Sequence, residues 1–122
     1  MPQQDFLLKQ VNKFFETLFL IVLKIKHNNI KEAEDMIEQY SDEALIKGLI
    51  DGKTPENAVP DMDTLKFQMQ LLLLKYDIRK QKGQADIELK ENCIKTLKYL
   101  IHLNPTAYDM QLHETLSNLE GS

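Results

Sequence analysis

A chain of 122 residues, 43% of them apolar, has the length of one domain and enough apolar side chains to build a core without disulfides or a structural metal. Its single cysteine, Cys93, excludes an internal disulfide and fits a reducing, cytoplasmic compartment. The net charge of −4 supplies no overall attraction to nucleic acid or to an anionic membrane. The charges are nevertheless segregated: residues 31–63 carry ten acids against three lysines, and 64–103 carry eight bases against four acids. Such halves can pair within one chain or between two copies, or simply form solvated helix faces.

Residues 5–26 carry the clearest helical period. Leu7, Val11, Phe14, Leu18, Ile21 and Ile25 recur at spacings of four and three, which lines them along one face of a helix. Leu8, Phe15, Phe19, Val22 and Leu23 widen that stripe, so this helix is expected to be the spine of the core. Acidic Asp5 precedes the first apolar cluster, unlike a secretory signal, and Glu16 and Lys24 interrupt the apolar run. That run falls short of the roughly 20 apolar residues needed to span a bilayer. His27-Asn28-Asn29 then breaks the period, because asparagine tolerates the left-handed conformation that ends helices. Ala33, Ile37 and Tyr40 restore it over 30–40, and the short turn predicts an antiparallel hairpin.

Ser41, followed by Asp42 and Glu43, reads as a hydroxyl cap opening a short helix that Gly48 and Asp51-Gly52 curtail. Thr54-Pro55-Glu56 suits a further brief turn, and residues 48–62 otherwise read as loop. Asp61 or Asp63 caps a second long helix whose core face is Leu65, Met69, Leu72, Leu73 and Tyr76, with Gly83 as its end. A third covers about 85–103 with Cys93, Ile94, Leu97, Leu100 and Ile101 inward, stopped by Asn104-Pro105. Tyr108, Leu112, Leu116 and Leu119 predict a last short helix. No stretch alternates as a strand does. The expectation is a single all-α domain over 1–122: a first hairpin at 5–40, short helices and loop at 41–62, and C-terminal helices at 63–120.

Asn28-Asn29-Ile30-Lys31-Glu32-Ala33 between two helices resembles the inter-helix turn of a tetratricopeptide repeat, with Ala33 as the small residue that lets the helices pack closely. Leu73 through Gly83 to Pro105 resembles a second, degenerate repeat, with Cys93 in the small-residue place and Pro105 as the closing proline. The order of elements is also similar to that of small uncharacterised bacterial proteins carrying a domain of unknown function. These resemblances imply a bundle of five or six helices arranged as antiparallel TPR-like hairpins, and no activity.

The chemistry-bearing residues form no recognisable constellation. His27, His102 and His113 have no partner at a metal-ligand spacing. Cys93 sits in an apolar-periodic stretch, as a packing residue does. The phosphate-loop, dinucleotide and nucleophile-elbow motifs are not found in the chain. Arg79-Lys80-Gln81-Lys82 is a dense basic run at a helix C-terminus, where the dipole favours cations. No catalytic, cofactor-binding or metal-ligating residue is therefore assigned, and no cofactor or membrane association is expected. The reading is a non-catalytic protein-interaction module or adaptor that presents a helical groove or self-associates as a homodimer, with Leu18, Val22 and Ile25 as interface residues. The alternative is a regulatory protein responsive to nucleic acid or ligand, whose sign would be a basic stripe joining Lys75, Arg79, Lys82, Lys90 and Lys98. A third reading, an enzyme with a scattered site, would need His102, Tyr108 or His113 to meet a shielded acid.

Overall fold

The computed structural model describes residues 2–53, 61–84, 86–103 and 110–121, apart from the side chains of 2–8, 11 and 110–112. The described residues form six α-helices and no strand: α1 (Pro2–Lys26), α2 (Ile30–Tyr40), α3 (Glu43–Ile50), α4 (Met62–Gln81), α5 (Ile87–Leu103) and α6 (Met110–Glu120). Thr54-Pro55-Glu56, the Asn104-Pro105 stop and Tyr108 lie outside the described residues, as do the side chains of Leu7, Leu8, Val11 and Leu112.

The helix ends follow from local chemistry. Asn28 adopts φ 63°, and its N–H donates to the Ile25 carbonyl while the Asn29 N–H donates to that of Lys24. This pair of reverse bonds is the Schellman closure, and it needs a residue that accepts the left-handed region. Gly52 and Gly83 end α3 and α4 in the same way, at φ 69° and 74°. The starts are acidic. Asp61 accepts from the Thr64 N–H to open α4, and Asp86 accepts from the Leu89 N–H ahead of α5. At α3 the capping residue is Asp42, whose carboxylate accepts from the Leu45 N–H. The expected cap, Ser41, instead donates its hydroxyl to the Ile37 carbonyl and closes α2. A serine between two helices can bond either way; the free C-terminal carbonyls of α2 claim it.

The chain divides into two compact units, Met1–Ser41 and Asp42–Ser122. In the first, α1 packs on α2, and the buried side chains are Thr17, Ile21, Ala33 and Ile37. Thr17 satisfies its hydroxyl locally by donating to the Lys13 carbonyl, at 2.8 Å. Lys24 and Glu32 form an ion pair at 2.8 Å that spans the turn.

In the second unit a core cluster draws on four helices: Leu49 from α3, Leu65 and Met69 from α4, Leu89, Cys93, Leu97 and Leu100 from α5, and Leu119 from α6. α5 contacts α3, α4 and α6, so it is the central element. Its exposed strip reads Glu88, Glu91, Lys95, Lys98, His102, acids first and bases last, which complements the helix dipole. α4 is buried on two sides. Leu65 and Met69 enter the cluster, whereas Phe67, Leu71 and Ile78 are buried about half a turn round the helix. Gln68 is buried because its Oε1 accepts from the Asp42 N–H at 2.8 Å, tying the start of α3 to α4.

The core cluster of the second unit contains none of the described α1 side chains, and α1 buries Thr17 and Ile21 within the first unit. An amphipathic period tells which residues share a face, and not which helix the other helices gather round.

Candidate interaction surface

On α1 the described side chains sort by angle round the helix. Thr17 and Ile21, four residues apart, are buried, and Phe14, Leu18 and Ile25 beside them are half-buried. Turning away from that strip, Phe15 is 67% exposed, Phe19 63% and Leu20 49%. Residues four apart on a helix lie about 6 Å from one another, so Phe15 and Phe19 form one continuous apolar surface. Leu23, one turn beyond Phe19, is half-buried and extends it. Charged side chains border the surface: Glu16, between Phe15 and Phe19, and Lys26, beyond Leu23, are both exposed.

The residues named from sequence stand differently. Leu18, Val22 and Ile25 are all half-buried, flanking Ile21 rather than forming the most exposed surface of α1. Phe15 and Phe19 were read as a widening of the inward stripe. A signal for their separate role does exist in the sequence. Phe15, Phe19 and Val22, with Asn12 before them and Lys26 after, repeat the four-three spacing one residue out of step with the first stripe. Two such stripes on one helix ask for packing on two sides.

Elsewhere among the described residues, the large exposed apolar side chains are Ile87 (71%) and Leu103 (42%), at opposite ends of α5. His27 and His102 are exposed and His113 is half-buried. Among the described residues no three His, Cys, Asp or Glu side chains converge as metal ligands would. Cys93 is fully buried; burial, reinforced by the carboxylates of Asp77 and Asp86, pushes its thiol up to about 12. It is therefore a neutral packing group at pH 7, not a thiolate nucleophile.

Two basic residues of the second unit are engaged with acids of the same unit. Lys75 donates to Glu43 at 3.3 Å, and Arg79 pairs with Asp86. The Leu89 N–H first, and then the Arg79 guanidinium, hold the Asp86 carboxyl below its usual range. The five residues of the anticipated stripe, Lys75, Arg79, Lys82, Lys90 and Lys98, thus include two whose charge is already matched.

None of the described helices is long and apolar enough to cross a membrane. No protein family, curated protein or solved structure matches the chain.

Proposed function

We propose that this chain is a non-catalytic protein-interaction module or adaptor that binds through the exposed apolar face of α1. The observation that carries the reading is the pair Phe15 and Phe19, each about two-thirds exposed and one helical turn apart. Single exposed apolar residues are ordinary on any surface, but a continuous aromatic and aliphatic patch is what partner surfaces are made of. A phenylalanine buries roughly 200 Å² when fully covered, so docking would remove about 130 Å² per ring from water. At about 25 cal/mol per Å² the two rings contribute roughly 6 kcal/mol gross. That only offsets the lower part of the roughly 4–15 kcal/mol lost on association, so the complex is a weak one unless neighbouring residues join it.

In this reading α1 and α2 form an antiparallel hairpin of the TPR-like kind. Fully buried Ala33 supports it, because a side chain of one carbon lets two helices approach closely. The resemblance to small bacterial proteins of unknown function and the cytoplasmic setting belong to the same reading. The regulatory nucleic-acid alternative is less well supported, since Lys75 and Arg79 are drawn toward Glu43 and Asp86.

The test is capture from a lysate of the source cells with the wild-type chain and with a Phe15→Ser/Phe19→Ser variant side by side. Proteins retained by the first and lost from the second support the reading. An identical set on both baits overturns it. Retention that disappears steeply between low and moderate salt, whatever the state of the two rings, would favour the nucleic-acid alternative.

A further inference from the structure

We infer that the occupant of the Phe15–Phe19 face is a second copy of this chain, docked antiparallel across a two-fold axis near residue 21 of α1. This rests on the interaction-module reading and names its partner.

The order of charge along the face selects this partner. Taking 100° per residue, Glu16, Phe19, Leu23 and Lys26 fall within about 80° of one another, with Phe15 and Leu20 on the two flanks. Glu16 and Lys26 are exposed, Phe19 is 63% exposed, and the acid and the base stand at opposite ends of the Phe19–Leu23 segment, with exposed Lys9 and Lys13 further toward the N-terminus. Ten residues of helix separate them by about 15 Å.

Over residues 16–26, with the acid at one end and the base at the other, an in-register contact is complementary to itself in only one sense. Turned antiparallel, Glu16 of each copy meets Lys26 of the other, and Phe19 of each meets the other's Leu23. The contact is isologous and closes as a dimer. Turned parallel, Glu16 meets Glu16 and Lys26 meets Lys26, two like-charge contacts beside a desolvated apolar strip.

The area sets the strength. Phe15, Phe19 and Leu20 at their observed exposures leave roughly 350 Å² per copy, or about 700 Å² for two. A stable interface buries about 1,200–2,000 Å² in total, so this dimer is a reversible one that populates at high concentration. The ion pairs lie at its rim, where they choose orientation more than they add affinity.

Sedimentation equilibrium of the full chain tests this, from about 5 to about 500 μM at low salt. A monomer–dimer equilibrium is expected that Phe19→Asp abolishes, with circular dichroism confirming that the variant stays helical. Phe19→Gln, without a new charge, serves the same purpose if the first variant unfolds. Glu16→Lys and Lys26→Glu should each weaken the dimer by about fivefold or more, because each change places like charges in both symmetric contacts. Glu16→Lys/Lys26→Glu together should recover it to within about twofold. A chain that stays monomeric throughout the range overturns the inference, as does a dimer untouched at Phe19 or one that the double reversal does not restore. If the chain is monomeric yet still captures another protein through Phe15 and Phe19, the self-pairing fails while the interaction-module reading stands.

Discussion

The two compact units of this chain use apolar residues in opposite ways. In Asp42–Ser122, leucines from α3, α4, α5 and α6 converge on Cys93, Leu97 and Leu100, and the exposed large apolar residues, Ile87 and Leu103, stand apart at the two ends of α5. In Met1–Ser41, α1 has Phe15 and Phe19 in solvent while Thr17 is buried. The difference shows that apolar content sets what a helix is able to bury, whereas the number of helices around it sets what it does bury. α5 contacts α3, α4 and α6 and buries Leu89, Cys93, Leu97 and Leu100; within the first unit α1 packs on α2, a helix of 11 residues against its own 25.

That contrast can be broken at its strongest point first. Leu97→Ala removes a fully buried side chain from the centre of the α5 cluster and should cost about 2–5 kcal/mol in urea unfolding, since the surrounding helices can relax only partly into the gap. A loss below about 1 kcal/mol would mean that the cluster is loosely packed. Ala33→Leu tests a tight place in the first unit. Ala33 is 0% exposed, so three added carbons must push α2 away or force strained rotamers, at about 1–3 kcal/mol. Protection of α2 amides from hydrogen exchange should fall with it.

A smaller effect, conditional on pH, is expected at the start of α5. Asp86 accepts from the Leu89 N–H and pairs with Arg79, so its carboxyl titrates below the usual range. A depressed carboxylate stabilises the fold above its unfolded pKa, and that contribution is lost as pH falls through the folded value. The melting midpoint of Asp86→Ala should therefore lie below wild type at pH 7, and the gap should narrow progressively on acidification below about pH 4. A gap independent of pH would mean that the carboxylate charge is not what stabilises this turn.

The smallest effect is the most informative for the comparison. Phe15→Ser and Phe19→Ser should change the unfolding free energy by no more than about 0.5 kcal/mol, as substitutions at exposed positions do. In an ordinary core helix a Phe deletion costs about 3–5 kcal/mol, so thermal or urea melts separate the two cases without ambiguity.

Much of the architecture was legible in the residues. The spacing of Ala33, Ile37 and Tyr40 predicts α2 over 30–40, and the helix occupies Ile30–Tyr40. Asn28 and Gly83 were readable as helix ends because few residue types accept a positive φ, and both adopt one. Cys93, Leu97 and Leu100 were readable as inward because period alone aligns them, and all three are buried. The cap of α3 was misplaced by one residue, since Ser41 and Asp42 are both competent caps and the choice depends on the carbonyls of the helix before. The candidate surface was legible only in part. The residues named on α1, Leu18, Val22 and Ile25, are half-buried, whereas Phe15 and Phe19 beside them are the more exposed.

What the sequence determined by itself was therefore local: an all-helical chain, the helix ends set by Asn28, Gly52 and Gly83, and the residues that share each helical face. These follow from backbone sterics and from hydrogen bonds between residues within five positions of one another. What only the tertiary structure decided was which apolar face is covered. Helical periodicity repeats along one axis and carries no record of how many neighbours stand around it. α1 bears two apolar stripes a residue apart, and no local rule ranks them. The packing of α1 on α2 draws Ile21 inward and leaves Phe15 and Phe19 facing water.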